Sequence, residues 1–430
     1  MNKKAISVPL CTVGLLSLIS GCGSEQTSSS ANHVIQLTAW YVEGSATGDE
    51  TLKLVKEFNE THKNIHVNAT YVASNGQNAQ KLIAAIAGGN PPDVAEVDSL
   101  TIPEYASKGA LVDLAPYAKA DGVKKSQYIP AVWDSNSYNG DLYAMPWYTD
   151  VRFLFWNKTL FQKAGLNPND PPKTIAQLDK DAAKLTKVNQ QGNITQAGFV
   201  PWESQGASYY TWAWAFGANF VNKSGKLNLA CPKGVQSFVW QQQFAKKYGI
   251  SRLNAFVSSV PQSIDPFNAG KLAMEINGEF AIATLRQQAP NLKYGVEPIP
   301  TVDGKGTTWS GGISWAVPTG SKHPKAAFEF MKWLNQPKQE MEFNKVSTEY
   351  PPLISMVKNL GKPGDIIVNQ TVDKLAAKLL PETHTRPVTP FGGELWDDLL
   401  QAQSNVTNDQ SANPKSVLEA IDNKFNAQQQ

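Results

Sequence analysis

Cysteine is scarce in this chain of 430 residues: there are three, and with Cys11 and Cys22 in the first 22 positions only Cys231 remains beyond them. A single thiol cannot close an internal disulfide, and a buried, inert role is expected for it. Histidine is nearly as scarce, at five residues; His62 and His66 stand at i, i+4 but straddle a helix-to-strand turn, so they form no metal-binding pattern. No G-x-S-x-G, H-E-x-x-H or P-loop motif occurs, and no Cys–His pair can be argued. An excess of one charge is also missing. Lys and Arg number 39 against 37 Asp and Glu, without a long basic cluster, which argues against nucleic acid or an anionic membrane as the main partner. Charged residues make up 18% and hydrophobic residues 41%, so a chain of this length buries a large core and divides into two or more lobes.

An apolar run of membrane-spanning length is missing as well. Ala5 to Ile19 follows Lys3 and Lys4 and is too short to cross a bilayer comfortably, so residues 1–22 read as an export signal. If it is removed, Lys3 and Lys4 leave with it and acids and bases balance at 37 each. The run Ile19-Ser20-Gly21-Cys22 resembles a bacterial lipoprotein signal. That resemblance implies that Cys22 becomes a lipidated N-terminus, with the Ser-rich residues 23–32 as a flexible tether to the membrane. The alternative is an ordinary cleaved signal with an incidental cysteine.

Aromatics, by contrast, are plentiful at 10%, including twelve Trp. Sites that stack flat hydroxylated rings need Trp and Tyr, although large cores also absorb them. The stretch from Ala144 to Phe161, AMPWYTDVRFLFWNKTLF, reads as a strand that is apolar on both faces and carries Asp150 and Arg152. Asp150, preceded by Trp147 and Tyr148, is either a structural cap or a ligand acceptor beside stacking surfaces.

Strands and helices alternate from His33. Strands are expected at Ile35–Tyr41, Ile65–Tyr71 and Asp93–Val97, with helices between them, which predicts a mainly parallel sheet with ligands beyond the carboxyl ends of its strands. Trp40, Tyr41, Glu43 and Asp98 occupy such positions. Further on, FVPWESQGASYYTWAWAFG concentrates Trp202, Tyr209, Tyr210, Trp212 and Trp214, with alternate members expected in the core. A helix starts at Pro232 and ends at Gly249. A short strand then leads into Asn277, Gly278 and Glu279, and TWSGGISWAVP couples Trp309, Gly311 and Gly312 to another strand. Ala327, Phe330, Met331 and Leu334 form one helical stripe.

The segments FNAGKLAMEINGEF, YAMPWYTDVRFLFWNKTLF, PPDVAEVDS, WSGGISWAVP and RPVTP resemble, in order and spacing, the extracellular solute-binding proteins of ABC sugar importers (family 1), in particular binders of maltose, trehalose and similar oligosaccharides. The resemblance implies an α/β, two-lobe periplasmic-binding-protein-like fold of type II, with a ligand cleft between lobes joined by crossing hinge segments. Lobe 1 is expected at 33–147 plus 297–336 and lobe 2 at 148–296 plus 337–430, with crossings near Tyr148, Val296 and Pro337. It further implies a monomer that binds carbohydrate without turnover or cofactor and delivers it to permease subunits from the extracytoplasmic face of the cell membrane.

Carried over position by position, the resemblance makes Asp98 the first-lobe acid that accepts sugar hydroxyls, Asp150 the acid after the first crossing, Tyr209 the stacking aromatic of the second lobe, and Arg386 the fork onto adjacent hydroxyls. Glu279 is a hydrogen-bonding acid, while Phe280 stands where many relatives have Trp and Phe391 where Tyr is common. Gly311 and Gly312 either let backbone amides approach the ligand or form a plain turn. Two rivals remain. A secreted glycoside hydrolase would pair two of Asp98, Asp150 and Glu279 at about 5–9.5 Å, and a carrier of another small polar solute would use the same cleft; abundant aromatics argue against metal and phosphate more than against an organic cation.

Overall fold

The computed structural model describes residues 34–73, 78–204 and 206–428; the signal, Cys22 and the tether lie outside the described residues. The first lobe is built on five strands: β1 (Ile35–Tyr41), β2 (Ile65–Tyr71), β3 (Val94–Asp98), β4 (Ala144–Thr149) and, from much later in the chain, β8 (Gly312–Ala316). Their order is β2-β1-β3-β8-β4; β1 runs parallel to β2 and β3, and β8 is inserted antiparallel between β3 and β4. The second lobe holds an antiparallel sheet in which β5 (Arg152–Asn157) lies between β6 (Met274–Gly278) and β7 (Tyr294–Glu297).

Each element follows from its residues. Side chains alternate in β1, so Leu37, Ala39 and Tyr41 turn inward, whereas β4 and β5 are buried throughout, as expected of strands covered on both faces. The helix Pro324–Leu334 sets Ala327, Phe330, Met331 and Leu334 into the first core beside Trp147 and Trp315. Fully burying one such side chain is worth about 1.5–3 kcal/mol. Thr174 accepts from the Gln177 amide while the Gln177 side chain accepts from the Thr174 amide, which closes a capping box at the start of the helix Ile175–Leu185. The helix Tyr209–Ala215 is buried along its whole length within the second core, against the helices Pro232–Tyr248 and Gly392–Asn408.

Three segments pass between the sheets. The first is Asp150–Val151, between the end of β4 and the start of β5. The second falls near Ser310–Gly311, because residues 298–309 stay with the second lobe: Ile299 bridges Thr307, Thr301 bridges Thr174 and Trp309 bridges His384. The third falls at Thr348–Tyr350. The helix Pro337–Ser347 still packs Phe343 on Trp147 and Tyr148, and Tyr350 pairs with Thr149 before its hydroxyl reaches Asp373. The second and third exchanges thus come further along than Val296 and Pro337. Pro337 opens a helix on the first core and breaks nothing larger, as proline does at a first helical turn.

Candidate functional site

The crossings meet around Asp150. Its Oδ1 accepts from the Gly311 amide at 2.6 Å, its carbonyl accepts from Ser310 Oγ at 2.6 Å, and its carboxylate forms an ion pair with Arg152. Thr149 is paired to Tyr350 through both backbone groups, at 2.8 and 2.9 Å, and its hydroxyl donates to the Gly311 carbonyl. Gly311 leaves little room: a Cβ there would lie 3.2 Å from Arg386 Nη2 and 3.3 Å from Asp150 Oδ2. At Gly312, with φ of 139°, a Cβ would meet the Tyr148 carbonyl at 2.2 Å, so these glycines keep three chain segments in contact.

Carboxyl groups crowd this hinge. Glu279, 0% exposed, accepts from the Val151 amide at 2.8 Å through one oxygen; the other has no hydrogen-bond partner among the described residues. Glu96 likewise accepts from the Val42 amide at 2.6 Å, and its second oxygen has no partner among the described residues. Glu43 accepts from the Tyr148 hydroxyl at 2.6 Å, and half-buried Glu349 joins them from the third crossing. Burial raises the Glu279 carboxyl well above the ordinary range, helped by Asp150 and opposed by the Val151 amide and Arg152. Burial, then Glu43, Glu279 and Asp150, raise Glu349 in the same direction. Glu96 is pushed up to about 8, mainly by burial.

Among the described residues, one salt bridge joins the lobes: Arg386 Nη2 lies 3.1 Å from Oδ1 of Asp98, which is half-exposed at the end of β3. Nearby, the Gly393 amide donates to Glu104 at 3.3 Å. The Arg386 guanidinium stands 5.4 Å from the Trp396 ring and 5.6 Å from Trp309, while Arg152 covers Trp309 at 4.0 Å. Tyr210 stacks between Trp214 and Trp396, at 5.6 and 5.9 Å, and its buried hydroxyl has no partner among the described residues.

Several residues singled out from the sequence therefore meet here: Glu43, Asp98, Tyr148, Asp150, Glu279, Trp309, Gly311, Gly312 and Arg386. Others point elsewhere. Tyr209, 1% exposed, donates to the Leu229 carbonyl at 2.8 Å and packs on Phe238 and Phe220, which makes it a core residue. Trp202 packs edge-on against Phe244, and Asn277 turns back to Glu275 and its own strand. Trp40 lies under Lys81 and Tyr41 against Tyr71, and Phe391 stacks on Phe425. Tyr210, Trp396, Glu96 and Glu349 carry no distinguishing signal in the sequence. Tyr210 stands one residue from Tyr209 and is equally buried, but the helix turns it towards Trp214 and Trp396 rather than Phe238.

The family described as bacterial extracellular solute-binding protein matches residues 44–341. A solved structure of CpMnBP1 with mannobiose bound is 32% identical, with a TM-score of 0.78, and the match covers 91% of this chain and 99% of that one. The diacetylchitobiose-binding protein DasA of Streptomyces coelicolor is 26% identical over an alignment of 451 residues that covers 100% of both chains. The sn-glycerol-3-phosphate-binding periplasmic protein UgpB of Rhizobium meliloti is 26% identical over 346 residues, 78% of this chain and 79% of that one.

Proposed function

Since the chain belongs to the bacterial extracellular solute-binding protein family, we propose that it captures a disaccharide or short oligosaccharide between its lobes and hands it, unaltered, to the permease of an ABC importer. The observation that carries this reading is the convergence at the crossings of polar groups from both lobes beside partly exposed Trp396. Asp98 comes from β3, Arg386 from the second lobe and Asp150 from the hinge, while Trp396 lies by the Arg386 guanidinium. Sugar rings offer apolar faces edged with hydroxyls, which such a set suits. The CpMnBP1 complex adds mannobiose to maltose and trehalose as a first ligand to try. We take the lobes to exchange at Asp150–Val151, Ser310–Gly311 and Thr348–Tyr350, and the protein to act as a monomer held outside the cell by lipid on Cys22.

A thermal-shift and calorimetric screen against these disaccharides tests the reading, because saturating ligand raises apparent stability by RT ln(1 + [L]/Kd). Arg386→Ala is expected to weaken binding about ten- to a hundredfold, the scale of one charged hydrogen bond, with the unliganded fold intact. Recovery of cleaved product from the best ligand, at a rate abolished by Asp150→Asn, would establish a hydrolase instead.

A further inference from the structure

We infer that the cleft holds a carbohydrate of three or more rings, lodged at one end against Asp98 and Arg386 and stacked at the other on Tyr71 of the first lobe. The inference rests on the carbohydrate reading above and adds to it the length of the ligand and the residue that reads that length.

Aromatic side chains are numerous, yet of all those among the described residues only Tyr71 is exposed, at 49%. The others are packed in the cores or partly covered, so a flat sugar face meets one ready platform. Tyr71 closes β2 in register with Tyr41 at the end of β1, whose ring lies 5.7 Å away at 50° and supports it from one side. Gly44, just before the helix Ser45–Thr61, makes room for the ring: a Cβ there would lie 3.3 Å from the Tyr71 hydroxyl oxygen. The preceding residue, Glu43, accepts from Tyr148 at 2.6 Å, which ties the platform to the polar groups at the crossings. A singly exposed apolar residue usually carries no message. This one lies at the carboxyl end of a parallel strand, where ligands of such sheets sit.

Spacing sets the length. Neighbouring strands lie about 4.7–4.9 Å apart, and β1 separates β2 from β3, so Tyr71 stands about 10 Å across the sheet from the strand that carries Asp98. A ring held between Asp98 and Arg386 cannot also cover Tyr71, whereas a chain of three can.

Growth the other way is blocked. The helix Ile102–Ser107 packs on the face of the sheet opposite Tyr41, and there the second lobe rests on the first. The Gly393 amide donates to Glu104 at 3.3 Å, a Cβ on Gly392 would run into the Leu100 carbonyl, and the space left among Ser99, Leu100, Pro103 and Arg386 is about 10 Å³, room for one water at most. Added rings therefore extend towards Tyr71.

The test is calorimetry on the whole mature protein with maltose, maltotriose and maltotetraose, and with mannobiose, mannotriose and mannotetraose. In whichever series binds, the best of the longer sugars is expected to bind about tenfold more tightly than the disaccharide, the scale of one added aromatic contact. Tyr71→Ala should abolish that gain and leave disaccharide affinity within about twofold, while Tyr71→Phe, which keeps the ring, should retain it. Urea melts of both variants matching the wild type would show that the fold is intact. Equal affinity of the wild type for disaccharide and longer sugars overturns the inference, as does a gain that survives in Tyr71→Ala; either result leaves the carbohydrate reading standing. If no sugar of any length binds, both fall.

Discussion

Replacing Glu96 by glutamine should flatten the pH dependence of stability. Glu96 is buried in β3; one oxygen takes the Val42 amide, the other has no partner among the described residues, and burial with nearby Glu43 carries its carboxyl from the ordinary 4.5 to about 8. Within that window the folded protein holds a proton that the unfolded chain has released. Stability therefore falls as pH rises from 4.5 towards 8 and levels off above. Every pH unit across that window is worth about 1.36 kcal/mol, which caps the loss at roughly 4–5 kcal/mol. Relaxation and water around the group reduce it to about 2–3 kcal/mol. Glu96→Gln preserves shape and the acceptor for Val42, carries no charge, and offers an amide to Glu43. Urea unfolding followed by circular dichroism should show wild type and variant close together at about pH 5 and the variant ahead by about 2–3 kcal/mol at about pH 8.5. The other raised carboxyls, Glu279 and Glu349 among them, titrate in both proteins and cancel in the difference. Parallel curves over the whole range would refute the reasoning.

Tyr209→Phe and Tyr210→Phe should separate fold from function. The first loses the bond to the Leu229 carbonyl and about 1 kcal/mol of stability with sugar affinity unchanged; the second loses no fold contact and about tenfold in affinity. Calorimetry and urea melts on both variants decide it, and a reversed pattern would restore Tyr209 to the site. Intact-mass analysis of protein from its native membrane should find a diacylglycerol-modified N-terminus at Cys22, and an unmodified N-terminus elsewhere would refute the lipid anchor.

Much of the fold was legible because the hydrophobic periods are strong. Ile35–Tyr41 and Ile65–Tyr71 alternate cleanly, and the stripe Ala327, Phe330, Met331 and Leu334 admits only one helical face. The crossings were harder to read. A chain that changes sheets at Asp150–Val151 keeps the same buried, apolar composition on either side, so AMPWYTDVRFLFWN looks like one long strand when it is two strands in separate lobes. The site was legible in its charged members, since an acid at a strand end or an arginine in a Pro-rich loop stands out. Its aromatic members were not, because Tyr209 and Tyr210 share composition, helix and burial, and only packing, against Phe238 for one and Trp396 for the other, tells which of them lies towards Arg386. Glu96 and Glu349 gave no signal of their own; what distinguishes them is the company that the end of β1 brings to Glu96 and the crossings bring to Glu349.

That company also explains why acids of this kind persist at the hinge. Burying carboxyls with unpaired oxygens lowers stability, and a fold under no other demand would replace Glu96 and Glu279 by apolar residues of similar size. Their position answers the cost. If the lobes pivot at the three crossings, as proposed, a ligand can shift the balance between open and closed forms only by contacts that differ between them. Asp98 and Arg386 already join the lobes across the seam, at 3.1 Å. A sugar that inserts there must replace that bond with better ones, and hydroxyls shared among Arg386, Asp98 and the hinge acids can do so because each donates and accepts. Closure on the proposed reading thus depends on these groups, so Asp98→Asn should loosen the lobes' grip on the sugar, which calorimetry against the wild type measures.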